Sequence, residues 1–268
     1  MTGHASNDSN ALREVYAYSW IVLLGSPLRL GIVEALIEEG IEIELLILPE
    51  SRRTSFKETF SLLQETIPDC RFVSKDSFSN VSADFSECAI LSVGYPYLLE
   101  AEVINRHPIC LNVHPTLLPK YRGSTTGTFV IRNNEKFAGS TVHILEEGPD
   151  TGPIICQSKV ELTRFDTVRS MQEKVYAVEP QLIVDTFRKL KTGLSPEPQD
   201  DKKASIYSRK RVPEDSEIDA DKSLFLLYDE IRSCDPDAYP AFFYVEGEKV
   251  CIRLWRPERG EDESDSMV

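Results

Sequence analysis

Trp20 to Leu24 is an unbroken apolar run, opened by Ser19 and closed by Gly25. Such a run reads as a strand buried on both faces, and that in turn means a parallel sheet covered by helices. The next segments agree. Ser26 to Gly40 carries Leu30, Val33, Leu36 and Ile37 at helical spacing and stops at a glycine suited to a C-cap. Ile41 to Leu48 then alternates apolar residues with Glu42 and Glu44, as a second strand does. Strand, helix and strand in this order make a right-handed crossover. The fold class expected from this opening is α/β with a mostly parallel sheet.

The pattern continues down the chain. A helix is expected over Ser55 to Thr66, a short strand at Arg71 to Val73, and a buried strand over Cys88 to Val93. A loop from Gly94 to Leu99 and a short helix toward Asn105 lead to another strand, Ile109 to His114. Thr125 to Asn133 reads as a helix capped by Ser124 or Thr125. Ser140 to Leu145 and Ile154 to Leu162 read as paired strands flanking a loop that holds Asp150. Val168 to Leu190 is a long helix stopped by Gly193. Beyond a Pro- and charge-rich stretch come one helix within Ile218 to Ser233 and a hairpin turning at Glu246-Gly247. The expected division is a flexible N-terminus (1–15), a main body (16–195), a linker (196–210), a small α+β module (211–256) and a disordered acidic tail (257–268).

Charge narrows the function classes. A formal net charge of −14 makes nucleic acid an unlikely partner, since affinity for a phosphate backbone comes largely from Lys and Arg. The six cysteines form no C-x-x-C pair and mostly sit in apolar runs, which points to reduced, buried thiols. No apolar run approaches the roughly 18 residues of a membrane span. The first residues lack the layout of a signal peptide, so a cytoplasmic location is expected. The turn GSPLRLG lacks both glycine-rich nucleotide patterns, so no dinucleotide cofactor is inferred. Ser26 and Arg29, at a helix N-terminus, could hold an anion such as a phosphate, or the segment is a plain strand-to-helix turn.

The chemistry concentrates between Leu111 and Gln157. Asn112 and His114 are two apart in a strand and so point to the same side, at the strand end where open α/β sheets place ligands. An amide and an imidazole can both bond a carbonyl oxygen that becomes an oxyanion. Asp150 could orient or protonate that histidine, or accept protons from an attacking amine. Singly, each is ambiguous: Asn112 can cap a turn, and Asp150 can be an ordinary loop residue before Thr151-Gly152. His143, two residues before the loop, reads as packed rather than catalytic.

The segments N-V-H-P-T-L-L-P-K-Y-R-G and D-T-G-P-I-I, with Asp150 36 residues after His114, resemble the signature of the N10-formyltetrahydrofolate-dependent formyltransferases. The resemblance covers roughly residues 18–195 and implies a Rossmann-like formyltransferase domain. It continues in Arg211–Asp219 and Asp235–Phe243, which are similar to the C-terminal module of the methionyl-tRNA and sugar enzymes. It implies catalysis by Asn112, His114 and Asp150, with N10-formyltetrahydrofolate as formyl donor and no metal. It also implies a pterin site at Gly94, Tyr95, Pro96, Leu99, Leu145, Glu146 and Pro149. Lys120, Tyr121, Arg122 and Gly123 would flank the acceptor, with Ser26 and Arg29 as further contacts.

Among acceptors, glycinamide ribonucleotide is disfavoured by the extra C-terminal module. Methionyl-tRNA needs a basic C-terminal domain, whereas from Ser208 onward 16 Asp and Glu face nine Lys and Arg. A nucleotide-linked amino sugar fits best, and a 4-amino-4,6-dideoxy sugar on dTDP or UDP is the expected acceptor, with a homodimer as the expected assembly. Two departures from the sugar-enzyme pattern, STTGTFVI after Gly123 and Ala220 in place of a tryptophan, leave sugar and nucleotide open. Methionyl-tRNA formylation, and hydrolysis of formyltetrahydrofolate by the same triad, are the alternatives.

Overall fold

The computed structural model describes residues 9–124, 126–207, 209 and 211–258. Helix α1 (Ser9–Arg13) leads into β1 (Trp20–Leu24), and a single 3-10 turn, Pro27–Arg29, precedes α2 (Leu30–Glu38). Then follow β2 (Ile43–Pro49), α3 (Phe60–Thr66), β3 (Cys70–Val73), α4 (Lys75–Ala83), β4 (Ala89–Val93), α5 (Ala101–Arg106) and β5 (Cys110–His114). The second half holds β6 (Arg122–Gly123), α6 (Gly127–Arg132), β7 (Phe137–Ile144), β8 (Ile154–Glu161) and α7 (Val168–Lys191). The chain ends in β9 (Ile206–Tyr207), α8 (Leu224–Arg232), β10 (Ala241–Val245) and β11 (Glu248–Ile252).

The main sheet has the order β3-β2-β1-β4-β5-β7-β8. Its first five strands run parallel, while β7 is antiparallel to both β5 and β8. This is the mostly parallel sheet that the apolar runs imply, in the Rossmann-like arrangement that the resemblance implies, with one antiparallel end. All five residues of β1 and of β4 are buried, because helices cover both sides. On one face, Val22, Leu24, Leu111 and Val113 pack with α2 and α7, where Trp20 meets Phe187 at 4.9 Å between ring centroids. On the other, Ile21, Leu23, Ile90 and Cys110 pack with Phe78 of α4 and Val103 of α5.

Local signals set the element ends. Thr167 and Ser170 exchange hydrogen bonds as a capping box at the start of α7. Glu246 and Gly247, at φ +51° and +87°, make the tight turn between β10 and β11. Ser74 caps α4 by accepting from the Ser77 N–H at 3.3 Å, and α4 has no counterpart in the sequence reading. At α6 the cap position is Thr126; Ser124 does not hold it, and Thr125 lies outside the described residues.

Two expectations about boundaries differ from the structure. The N-terminal stretch 1–15 is not loose as far as it is described: Leu12 and Val15 are buried, and the Val15 carbonyl accepts from the Trp20 indole at 3.0 Å. The stretch 196–210 is not a free linker. Glu197 exchanges two backbone bonds with Ile154, and β9 pairs in parallel with β6. Residues 1–8 and 259–268, which include most of the expected acidic tail, lie outside the described residues. All six cysteines are free thiols, five of them buried. Among the described residues no helix is long and apolar enough to cross a membrane.

Candidate active site

In β5 the two-residue period turns Leu111 and Val113 toward the α2/α7 core and leaves Asn112 and His114 on the opposite side. Pairing with β7 sets Asn112 across from His143, and His114 across from Thr141. Pro115 has no N–H and ends the ladder. The loop beyond it folds back, so that the Tyr121 carbonyl lies 2.9 Å from His114 Nε2. A carbonyl only accepts, so Nε2 carries the proton and Nδ1 keeps its lone pair. That lone pair faces Asp150 Oδ2 at 3.4 Å.

Asp150 closes the constellation from the β7–β8 loop. Its backbone stands at φ +54°, a left-handed conformation uncommon for a residue with a side chain. Oδ2 accepts from the Gly123 N–H at 2.8 Å, and Oδ1 accepts from the Asn112 amide at 3.3 Å. The other Asn112 N–H points to His143 Nε2 at 3.1 Å. His143 is fully buried and directs Nδ1 to the Ile144 carbonyl at 2.8 Å, which fixes its proton there and leaves Nε2 to accept. It is packed, as the sequence implies, yet it also holds the Asn112 amide in place.

Electrostatics divide the roles. Burial opposes charge on Asp150, but the positive charge that the neighbouring His114 and His143 rings carry once protonated, together with the Gly123 N–H, outweighs it and holds the carboxyl down at about 2. Burial pushes His114 below the ordinary imidazole value, against the pull of Asp150. Near neutrality the site therefore pairs an ionised carboxylate with a neutral imidazole. That is a proton acceptor with its counter-charge already in place.

The expected pterin residues lie in the segments that follow β4 and β7. Tyr95, Leu99 and Leu145 pack onto the α4/α5 side of the sheet, while Glu146 is exposed and Pro149 is part-buried in the Asp150 loop. Gly94 takes φ +61°, and a Cβ there would sit 2.7 Å from Arg29 Nη1. With Pro96 it turns the chain after β4 into a small cavity lined by Tyr95, Tyr97, Leu98 and Leu99 against Phe78. The Tyr95 hydroxyl is buried there and has no partner among the described residues, and the cavity, about 20 Å³, has room for a water to meet it.

Most of the expected acceptor contacts already have partners within the protein. Arg29 is buried, with Nε and Nη2 each 2.6 Å from the Glu179 carboxylate and Nη2 also donating to the Val113 carbonyl. Its charge is spent inside the protein. Arg122 is buried too, bonded to Gln199 and Asp201. The Tyr121 hydroxyl donates to Glu135, Lys120 pairs with the same carboxylate, and the Gly123 N–H serves Asp150. Ser26 caps the turn through Leu28 N–H. Arg52, which sequence reasoning passed over, donates to the Gly25 carbonyl at 2.7 Å from the turn after β2. Among the described residues no group of three or more His, Cys, Asp or Glu could hold a metal ion.

Residues 55–187, which carry all three site residues, match the family model described as Formyl transferase. These residues form a formyl transferase domain. A methionyl-tRNA formyltransferase of Thermodesulfovibrio yellowstonii is 28% identical over 87% of this chain and 79% of its own length. A 4-N formyltransferase from Francisella tularensis superposes with TM-score 0.76 at 21% identity, covering 91% of this chain and all of its own. WlaRD, a sugar 3N-formyl transferase crystallised with dTDP and 5-N-formyl-THF, gives 0.68 at 18% identity, over 90% of this chain and 87% of that one. The protein is thus an enzyme, a formyltransferase of α/β architecture.

Proposed function

We propose that this formyltransferase moves a formyl group from N10-formyltetrahydrofolate to the primary amine of a nucleotide-linked amino sugar. A 4-amino-4,6-dideoxy sugar on dTDP or UDP is the acceptor proposed. A cleft of about 670 Å³ that includes none of Asn112, His114 and Asp150 is lined by Leu28 and Arg29 on one wall, Gln172 and Tyr176 of α7 on another, and Asp235 of the small module. A volume of this order suits a small-molecule ligand. Arg169 of α7 ties the module to that wall through Asp235 at 2.7 Å and Asp237 at 2.6 Å. The observation that carries the acceptor reading is the acidic balance after Ser208, which argues against a tRNA-embracing surface.

The donor supplies an activated formyl carbon. Asp150 and the Nδ1 lone pair of His114 take the proton the attacking amine loses, and an imidazolium formed there lies 3.4 Å from the carboxylate. The same proton can return to the departing nitrogen. Asn112 donates toward the oxygen that gains charge, giving up its 3.3 Å bond to Asp150 while His143 keeps the amide oriented.

Methionyl-tRNA is the second reading, favoured by the names of the sequence relatives at 28–33% identity. The two are separated by following folate release with dTDP- or UDP-linked 4-amino-4,6-dideoxy sugars and with methionyl-tRNA. Turnover with an amino sugar alone supports the proposal, and formylation of methionyl-tRNA sinks it. Equal folate release with no amine present would identify a hydrolase instead. Asp150→Asn is expected to lower kcat by roughly 100-fold or more.

A further inference from the structure

The segment from Glu197 to Tyr207 lies across both loops that carry the site. Gln199 is saturated: Nε2 donates to the carbonyls of Asp150 at 2.8 Å and Gly152 at 2.7 Å, while Oε1 accepts from Arg122 Nε at 3.0 Å and Nη2 at 2.8 Å. Asp201 takes the remaining edge of the Arg122 guanidinium at 2.9 Å. Ser205 receives the Tyr121 and Arg122 N–H groups on its hydroxyl and carbonyl, both at 2.8 Å. Gly123 lies so close beneath the strap that a Cβ would stand 2.3 Å from the Tyr207 carbonyl.

These anchors coincide with the backbone groups on which the triad depends. The Tyr121 carbonyl orients His114, the Gly123 N–H holds the Asp150 carboxylate, and the left-handed Asp150 backbone aims that carboxylate. We propose that Gln199 is a positioning residue of the formyl-transfer site, joining the Asp150 loop to the Arg122 loop through one carboxamide so that Asp150 meets His114. The segment 197–207 is thereby part of the active site. This rests on the triad as the seat of formyl transfer, but not on which acceptor is used.

The test uses the full chain with Gln199→Ala, and Gln199→Met as an apolar replacement of similar length should the alanine variant fold poorly. With N10-formyltetrahydrofolate and a dTDP-linked 4-amino-4,6-dideoxy sugar, or methionyl-tRNA if that is the acceptor, kcat falls roughly 10- to 100-fold. KM for the folate changes less than kcat, since Gln199 itself bonds none of the expected pterin residues, of which Leu145, Glu146 and Pro149 share the Asp150 loop. In an Asp150→Asn background the same replacement costs little more, because the two act as a unit. Long-range 1H–15N NMR of the four histidines, with His114 assigned by His114→Gln, shows the His114 titration moving to lower pH as the Asp150 charge withdraws. An unchanged kcat, an unchanged His114 titration, or full additivity with Asp150→Asn overturns the assignment. If the unaltered protein turns over neither acceptor, the proposed function fails, and the NMR titration still decides the role of Gln199.

Discussion

Three buried groups make this protein sensitive to acid. Asp150 is held at about 2, and burial pushes both His114 and His107 below the ordinary imidazole value. His107 directs Nδ1 to the Cys88 carbonyl at 2.8 Å, and its Nε2 is buried without a partner among the described residues. In each case the folded value lies below the unfolded one, so the unfolded chain takes up protons first as the pH falls. Their stabilisation is complete above the ordinary values and is lost on acidification. The melting temperature should be nearly flat between about pH 7 and 8, decline below about 6.5 with the histidines, and drop further between about 4 and 2. To the last step Asp150 contributes on the order of 2 kcal/mol, beside Asp235, which Arg169 and two backbone N–H groups also hold down at about 2. Calorimetry across this range checks it, and a midpoint that rises between pH 7 and 5 would contradict it. In the resting enzyme Asp150 stays ionised from neutral pH well into the acid range, so an acid limb in the rate belongs to His114 or to the acceptor amine.

Between elements, the buried Arg29–Glu179 pair joins the turn after β1 to the middle of α7. Ser140 of β7 adds a hydroxyl bond to the same carboxylate at 2.8 Å. Glu179→Gln would leave the guanidinium charged and uncompensated in the interior, at a cost of about 3–5 kcal/mol. Urea denaturation would show the midpoint falling accordingly, with Arg29→Met/Glu179→Leu recovering much of it; a loss below about 1 kcal/mol would mean that water reaches the pair. This pair also explains what the sequence could and could not convey. Strands β1, β4 and β5 were legible because burial on both faces leaves an apolar run, and Asn112, His114 and Asp150 because their spacing carries a family signature. Arg29 was misread as an anion contact because its partner lies 150 residues away. Gln199 was invisible for the same reason: its bonds reach back 49 and 77 residues, and a glutamine in a Pro-rich stretch looks solvated. Helix α4 was missed because it is short and polar, burying Phe78 and Ser82 from a serine-rich run.

At the scale of the whole molecule, the small module packs its own core of Ile218, Leu227, Ile231 and Ala241 and leaves apolar surface outside it. Leu224, Phe225 and Leu226 of α8 are 69%, 82% and 66% exposed, and Tyr244 and Val245 of β10 are open as well. Neighbouring apolar side chains of this size are costly to leave in water. A homodimer is the expected assembly, and light scattering should give about twice the 30.3 kDa chain mass, with Phe225→Glu shifting it toward one copy. The strap adds a consequence for how such proteins can be recombined. A seam cut at residue 195, where the sequence invites one, would leave Gln199 and Ser205 with the transplanted piece and strip the donor body of the bonds that shape its own loops. Exchange of C-terminal modules between relatives, in the laboratory or by inheritance, preserves chemistry only when the junction falls beyond Tyr207.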